Sequence, residues 1–271
     1  MLYLVGTPIG NFNDMTYRAV DTLKNVDLIA AEDTRNTLNL LKHFDISAKL
    51  TSYHEHNKAS KGPEILKLLQ EGKNVAIVTD AGMPAISDPG EDLVKLCIDN
   101  GIDITVVPGP TAFVSGLVMS GFPSKGVRFE GFLSAKEMER ERRLEYLKDC
   151  KETMVFYEAP HKLLRTLEHM KKVFGNRKIS VSREITKRFE QTIRGDIDYV
   201  IDYFSNVNPK GEFVLVVEGS KEKKVYIISL TDHVNQLIDE GFDKKSAIAE
   251  VAKLREIPKK IVYNEYEKSL K

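Results

Sequence analysis

Three short loops contain the residue types that let a protein backbone approach a bound ligand closely. They cover residues 6–11 (GTPIGN), 80–90 (DAGMPAISDPG) and 108–113 (PGPTAF), and each follows an apolar run. Glycine permits close approach because it has no side chain, and proline reduces the entropy lost when a loop is ordered. Any one of these loops could equally be a tight strand-to-helix turn. Three at the same edge of one sheet favour a ligand site.

The glycine spacing excludes two common phosphate-binding motifs. Gly6 and Gly10 are four residues apart with Pro8 between them, so the first loop is not a G-x-G-x-x-G dinucleotide motif. The chain also has no G-x-x-x-x-G-K-[ST] sequence to hold a triphosphate. A ligand that carries an adenosine but no pyrophosphate fits such a loop.

The sequence His54-Glu55-His56 has the spacing of a possible metal site. On a strand, the two imidazoles of H-x-H point to the same face, but no third ligand lies nearby in sequence. We therefore expect a substrate-facing or structural loop here and predict no metal.

The elements that must position the three loops alternate between strand and helix. Strands are predicted at residues 2–6, 26–31, 49–53, 74–79 and 103–107, and helices at 14–25, 63–71 and 91–100. This rhythm indicates an α/β fold with a parallel, doubly wound N-terminal sheet.

The rhythm changes after Pro123-Ser124-Lys125-Gly126, which marks a domain boundary. Five strand-like segments follow, with helices expected near 135–150 and 160–174, so the second sheet should be mixed. A last strand over 225–229 and three short helices at 232–240, 243–254 and 258–269 complete the chain, with Asp243 as an N-cap. The predicted domains are 1–122, 123–229 and a small helical tail at 230–271.

The composition is that of an ordinary globular protein of 271 residues, with 40 basic and 40 acidic side chains. This balance argues against a protein covered with nucleic acid, although a local basic patch would suffice for a brief encounter. No stretch approaches the roughly 20 apolar residues of a membrane span. The N-terminus lacks the features of a secretory signal, and Cys97 and Cys150 form no C-x-x-C motif. We expect a cytoplasmic protein with reduced thiols.

Several longer motifs together resemble the tetrapyrrole methylase superfamily. Within it, they are most similar to the branch that 2′-O-methylates a cytidine in the 16S RNA of the small ribosomal subunit. The motifs are TPIGN, AEDTR, YHEHN, TDAGMPAISDPG, VPGPTAF, FYEAPHK, REITKRFE and GEFVLVVEG, which together run from residue 7 to residue 219. TDAGMPAISDPG and REITK are the specific ones, whereas TPIGN alone would be weak.

The resemblance implies a two-domain tetrapyrrole-methylase fold, usually a homodimer, that holds S-adenosyl-L-methionine in the cleft between its domains. Carried over to this sequence, the cofactor-binding residues would be Thr7, Pro8, Asp80, Ala81, Gly82, Met83, Pro84, Ile86, Ser87, Thr111, Ala112, Phe156, Tyr157 and Glu158. The implied partners are ribosomal RNA and the small ribosomal subunit.

A ribose hydroxyl is a poor nucleophile, so a positioned base would accelerate its methylation about 10²–10⁴-fold. Candidates are Glu32, Asp33 and Arg35 after the second strand, and Glu184 and Lys187 in REITK. We favour Lys187 held by Glu184, because a lysine in a cleft can lose its proton near neutral pH. A purely structural ion pair is the alternative. Asp33 could equally be an N-cap, with Arg35 solvated.

Two segments could contact RNA. On a helix over 135–150, Lys136, Arg140 and Arg143 would share a face, either as a basic ridge or as part of a solvated helix with i,i+4 ion pairs. The tail resembles a helix-turn-helix, with Lys244, Lys245, Lys259 and Lys260 at helix starts. A helical cap that completes a dimer is the alternative for the tail.

Two other functions remain open from the sequence. A small-molecule methylase on the same fold would be expected to have a large apolar trough and no basic tail. This chain has no tryptophan and it carries a basic tail, so an RNA substrate is preferred. A non-catalytic RNA-binding assembly factor would keep the cofactor pocket as a sensor.

Overall fold

Short apolar runs in the first part of the chain form a parallel sheet. The computed structural model of the protein describes residues 1–221 and 227–269. The strands are β1 (Leu2–Val5), β2 (Leu28–Ala31), β3 (Leu50–Ser52), β4 (Val75–Val78) and β5 (Ile104–Val107). Their spatial order is β3-β2-β4-β1-β5, and every pairing between them is parallel. The predicted parallel sheet is confirmed.

Helices cover both faces of this sheet. They are α1 (Tyr17–Asn25), α2 (Thr34–His43), α3 (Lys58–Gln70), α4 (Glu91–Asp99) and α5 (Ala112–Ser120). Leu4 packs with Leu93 of α4 on one face, while the next residue, Val5, packs with Leu23 of α1 on the other. Because successive strand residues point to opposite faces, each strand contributes to two cores. The sheet is therefore doubly wound, as expected.

The sequence missed two helices of this region, α2 and α5, and misplaced the start of a third, α3. Helix α2 was not predicted as an element, because Thr34, Asn36 and Asn39 are weak helix formers; Asp33 caps it by accepting a hydrogen bond from Arg35 N at 2.8 Å. Helix α5 was also missed, since its composition is almost entirely apolar. Helix α3 begins at Lys58 rather than at Pro63, which lies inside it. The preference of proline for the first turn misplaced that start.

A second sheet follows. Its strands are β6 (Val127–Phe132), β7 (Thr153–Glu158), β8 (Lys178–Arg183), β9 (Gln191–Asp196) and β10 (Phe213–Val217), in the order β6-β7-β10-β8-β9. Strands β6 and β7 are parallel and the other pairings are antiparallel, so the prediction of a mixed sheet is confirmed. Helices α6 (Glu137–Leu147), α7 (Leu163–Phe174) and α8 (Ile197–Ser205) pack with it, and α8 was not predicted. Both sheets belong to one compact unit, Met1–Ser220.

The second unit, Lys221–Lys271, contains the predicted helices among its described residues. They are α9 (Leu230–Asp239), α10 (Lys244–Leu254) and α11 (Lys259–Ser269), and they share a small apolar core. Asp243 caps α10 by accepting hydrogen bonds from Lys245 N and Ser246 N, as predicted. The strand predicted over 225–229 falls partly outside the described residues, and Ser229 is the N-cap of α9. How the chain divides at residue 122 stays a prediction.

No described helix has both the length and the apolar character needed to span a membrane.

Candidate active site

A cavity of about 360 Å³ opens where the loops after β4 and β5 face strands β7 and β10 of the second sheet. Carboxyl ends of parallel strands meet at one sheet edge, which is where α/β folds bind ligands. Ten of the residues predicted to bind the cofactor line it, namely Asp80, Ala81, Gly82, Met83, Ile86, Ser87, Thr111, Ala112, Tyr157 and Glu158. Three separate stretches of sequence therefore converge on one site.

Four residues predicted for cofactor binding do not line this cavity. Thr7, Pro8 and Pro84 are buried, and Thr7 Oγ1 donates a hydrogen bond to Thr79 O at 3.0 Å. Phe156 is fully buried in the core of the second sheet. Strand alternation explains this position, because Tyr157, the next residue of β7, is the one that lines the cavity. In this structure these four residues support the site from outside it.

The cavity floor is made of loops that are joined through their backbones. Thr7 N donates to Gly82 O at 2.9 Å and Gly82 N donates to Thr7 O at 3.1 Å, which forms an isolated antiparallel bridge. Next to it, Gly6 and Gly109 lie so close that a Cβ atom on Gly6 would come within 2.7 Å of Gly109 Cα. Only glycine fits at such a contact, so the composition of these loops serves packing as well as ligand access.

Aromatic rings form one wall. The Tyr157 ring meets Phe132 at 5.5 Å and Phe129 at 5.1 Å between centroids. Phe113 N donates a hydrogen bond to Tyr157 Oη at 3.2 Å, and burial raises the pKa of that phenol. Phe132 lines the cavity and is 61% exposed, so it stands at the cavity mouth. This wall can cover a planar ring.

The cavity is rich in carboxylates. Among its described lining residues, Lys187 is the one basic side chain beside five acidic ones, which are Glu32, Asp80, Asp88, Glu158 and Glu212. Burial and then the charge of Glu32 raise the pKa of Asp88 to about 6. An excess of negative charge around a cavity favours a ligand that carries positive charge.

Lys187 lies between two carboxylates. Its Nζ atom donates to Glu184 Oε1 at 3.0 Å and to Glu212 Oε2 at 3.2 Å. Burial lowers the pKa of Lys187, but the hydrogen bonds and charges of Glu184 and Glu212 outweigh burial and hold that pKa above its ordinary value. Lys187 is therefore an ammonium at neutral pH in this state. The expectation that desolvation alone would release its proton is corrected, because the carboxylate partners stabilise the charged form.

Asp33 and Arg35 lie outside the cavity lining. Asp33 caps α2 and pairs with Arg35, whose side chain is 88% exposed. The hydrogen bond from Arg35 lowers the pKa of Asp33 to about 2. Asp33 N donates to Asp80 Oδ1 at 3.2 Å, and this bond joins the pair to a cavity residue. The structure thus brings Glu184 to Lys187 but leaves Asp33 and Arg35 beside the site.

Helix α6 does not present the basic ridge considered from its sequence. Arg140 is buried, and its Nε donates to His169 Nδ1 at 3.0 Å while its Nη1 donates to Ser134 O at 3.0 Å. Lys136 pairs with Glu139, and Arg143 pairs with Glu130. Helical spacing does not reveal which residues are buried. A continuous ridge of three basic side chains is therefore not formed, although Lys136 and Arg143 remain partly exposed in their ion pairs.

Ligand-type side chains also meet outside the cavity. His54 and His56 lie 6.0 Å apart between ring centroids, in the loop after β3 rather than on the strand. Among the described residues, Glu137, Glu141 and His169 could reach a common ion, but Arg165 and Lys172 already pair with the two glutamates. Each of the two glutamates is thus already engaged in an ion pair.

Two cavity residues of chemical interest were not singled out from the sequence. Asp88 and Glu212 lie inside the quoted motifs TDAGMPAISDPG and GEFVLVVEG, but no spacing rule distinguished them from their neighbours. A signal was present for Glu212, since a carboxylate directly before the fully apolar strand FVLVV sits at a strand end. Phe132, at the end of β6, was also missed, because no spacing rule distinguished it from its neighbours.

Comparison with known proteins gives concordant matches. Residues 1–200 match the family described as Tetrapyrrole (Corrin/Porphyrin) Methylases. The chain is 48% identical to "Ribosomal RNA small subunit methyltransferase I" of Halalkalibacterium halodurans, over 98% of this chain and 94% of the relative. It is 46% identical to the protein of the same name from Bacillus subtilis, with the same coverage. The solved uroporphyrin-III-C-methyltransferase from Thermus thermophilus shares the fold, with a TM-score of 0.57, 19% identity, and coverage of 80% of this chain and 93% of that one.

Proposed function

Because this chain belongs to the tetrapyrrole methylase family and is an S-adenosylmethionine-dependent methyltransferase, we propose that it methylates the ribose 2′-hydroxyl of a cytidine in the 16S RNA of the small ribosomal subunit. One observation carries the proposal. The similarity to relatives named for small-subunit ribosomal RNA covers 98% of this chain, well beyond the 200 residues of the shared family domain. A ribosomal RNA substrate would also place the enzyme in the cytoplasm.

The cavity residues fit the methyl donor. S-adenosylmethionine supplies a methyl group on a cationic sulfonium, together with an ammonium group and an adenine ring. The carboxylates of Asp80 and Asp88 suit the cationic portion, and Tyr157 and Phe132 suit the planar ring. The loop residues 80–87 would surround the methionine portion, with Thr111 and Ala112 beside it.

Lys187 and Glu184 suit a proton relay from the acceptor. In this proposal the ribose hydroxyl gives its proton to Lys187 Nζ, which passes its own proton to Glu184 Oε1 across the 3.0 Å hydrogen bond. The relay accounts for the positive charge of Lys187 at neutral pH, because its own proton passes to Glu184 before Nζ takes up the proton of the ribose hydroxyl. Asp33 and Arg35, beside the cavity, would contact the RNA strand that carries the acceptor.

The tail and the sheet edge suit the proposed partners. Lys245, Lys259 and Lys260 are exposed at the starts of α10 and α11, where a helix-turn-helix would meet phosphates. A homodimer is supported by two exposed apolar side chains, namely Val106 on edge strand β5 and Val118 on α5, which are 48% and 74% exposed.

Transfer of labelled methyl groups tests the proposal. Labelled S-adenosylmethionine is offered with naked 16S RNA, with 30S particles and with a porphyrin precursor, and the product is digested to nucleosides for mass analysis. We expect label in 2′-O-methylcytidine from RNA. Label in a methylated base or in the porphyrin precursor, or donor binding without any transfer, would refute it.

A further inference from the structure

A second recess lies beside the donor cavity and shares one residue with it. This recess has a volume of about 570 Å³ and is open to solvent. Its lining comes from the loop after β1, from the end of α2 and from the REITK loop. Lys187 is the residue that lines both the recess and the donor cavity. A molecule in the recess is therefore next to the group that would receive the acceptor proton.

The recess contains an aromatic surface. Phe12 lies in it with 41% of its surface exposed, and its ring packs on His43 at 4.6 Å between centroids. His43 is held in turn by Phe44, edge-on at 4.8 Å. Phe12 is thus fixed from behind while part of it faces solvent. Single-stranded nucleic acids stack their bases on aromatic side chains presented in this way.

Polar groups complete the recess. Asn11 and Asn13 flank Phe12. The Asn13 amide and the Asn11 NH₂ group can pair with a base edge, whereas Asn11 Oδ1 already accepts a hydrogen bond from Asn13 N at 3.0 Å. Thr186 Oγ1 is buried and has no hydrogen-bond partner within the described residues, and Thr186 has a φ angle of 68°, in the left-handed region. Buried polar groups are ordinarily paired, and backbone strain of this kind gathers at functional sites. The hydroxyl needs a partner that a bound ligand can supply.

A positively charged side chain, Arg188, also lines the recess. Arg188 is exposed, and its guanidinium lies 5.6 Å from the centre of the Phe189 ring. Within the part of the chain that the structure describes, Arg188 forms no ion pair, whereas Lys187 is held by carboxylates. An unpaired guanidinium next to an aromatic surface fits a nucleotide phosphate.

From these four features we propose that the recess is the acceptor site, in which the target nucleotide of an RNA strand is held out of its stack. The base stacks on Phe12, the ribose faces Lys187, and a backbone phosphate contacts Arg188. This assignment rests on the proposed function, since it requires an RNA acceptor. It explains why Lys187 borders both cavities: the hydroxyl must reach the donor methyl group across that side chain.

Replacement of Phe12 tests the assignment with a matched control. Loss of one stacking contact lowers kcat/KM for 30S particles about 5- to 150-fold in Phe12→Ala. Phe12→Trp keeps a stacking surface and should restore most of that activity. Tyr17→Ala removes an aromatic ring that is 94% exposed and lines neither cavity, so it should behave like the wild type. Calorimetric Kd values for S-adenosylmethionine should be equal in all four proteins.

The outcomes separate the two proposals. If the wild type methylates RNA and Phe12→Ala matches Tyr17→Ala, the recess assignment is wrong while the proposed function stands. If Phe12→Ala binds the donor more weakly, the residue acts on the donor side and the assignment is also wrong. If the wild type binds the donor but transfers nothing to RNA, both proposals fall. Arg188→Ala gives an independent check, because loss of one phosphate contact lowers the salt slope of RNA binding by about 1.

Discussion

Gly10 lies directly against the side chain of Lys187: a Cβ atom on residue 10 would come within 2.4 Å of Lys187 Cγ and 2.9 Å of Lys187 Cε. Gly10→Ala therefore must displace the lysine. A misplacement of about 1 Å near reacting groups can cost about 100-fold in rate, so we expect kcat for methyl transfer to fall by about that factor. Donor affinity, measured by calorimetry, should change far less than kcat, because Gly10 itself does not line the donor cavity and Lys187 is one of many residues that do.

Gly62→Ala is the matched control for that substitution. Gly62 lies in helix α3, where the nearest heavy atom to an added Cβ, Leu96 Cδ2, is at an ordinary 3.4 Å. Alanine should be tolerated there and should leave kcat unchanged. Wild-type kcat in Gly10→Ala would show that the position of Lys187 is unimportant.

Lys187→Ala should lower methyl transfer by about 10²–10⁴-fold, the range expected for the loss of a proton-transfer group. Because the carboxylates of Glu184 and Glu212 raise the pKa of Lys187 above its ordinary value and the relay starts from the ammonium form, wild-type kcat should not change as pH rises through the neutral range. A stopped-flow or discontinuous pH profile of transfer measures both effects. Lys172→Ala removes an exposed, ion-paired lysine on α7 and serves as the control. A wild-type kcat that rises with pH through the neutral range would require the neutral amine of Lys187 as the base and would exclude the proton relay.

Asp88 should make donor affinity depend on pH. Its pKa is raised from 3.8 to about 6, and a bound cation favours the ionised form and lowers that pKa again. Affinity for S-adenosylmethionine should therefore rise as pH increases towards 6 and level off above it. The gain is up to about a hundredfold if the ordinary pKa is restored. Calorimetry at about pH 5 and about pH 7 should show about tenfold of this gain, because a carboxyl with a pKa of about 6 is about nine-tenths protonated at pH 5. Heats compared in buffers of different ionisation enthalpy count the protons released.

Asp88 should also make the free energy of unfolding of the unliganded protein depend on pH, with the opposite trend to donor affinity. Between pH 3.8 and about 6 the folded chain holds a proton on Asp88 that the unfolded chain has lost. Its contribution to the free energy of unfolding is therefore complete below 3.8 and disappears as pH rises through 6. In Asp88→Asn both pH dependences should be absent. Donor binding in Asp88→Asn that keeps the wild-type pH dependence would assign the titration to another group.

The tail lysines should contribute to RNA affinity through phosphate contacts. Lys244 already pairs with Glu267 at 2.6 Å, so the accessible charges are Lys245, Lys259 and Lys260. Replacing these three with alanine should weaken RNA binding and reduce the slope of log K against log salt by about 1 for each lysine that contacts a phosphate.

Three exposed lysines of the first unit, Lys24, Lys67 and Lys95, provide the control when they are replaced together. Equal losses in the two triple variants would mean that RNA responds to overall charge and not to the tail. An unchanged salt slope in the tail variant, with a loss of dimer, would favour a helical cap.

Local sequence determined the elements of the fold well, because alternation and periodicity are local properties. The strand Val75–Val78 and its loop were found in this way, and so were the helices that follow Ser229 and Asp243. The burial of Arg140 was not predictable, since its partner His169 comes from a different helix. The raised pKa of Asp88 likewise depends on burial and on the charges of Glu32 and Glu212, which come from other parts of the chain. Sequence gives residue types, whereas these effects depend on distances.

The paired hydrogen bonds between Thr7 and Gly82 have a consequence for how ligands are chosen. They join the loop after β1 to the loop after β4, so the cavity floor has little conformational freedom left to lose when a ligand binds. Selectivity among ligands must then come from the side chains that line the rest of the cavity, and not from a rearrangement of these two loops. Variants that lose the two hydrogen bonds between Thr7 and Gly82 should make the same contacts with the donor but bind it with a larger entropic penalty.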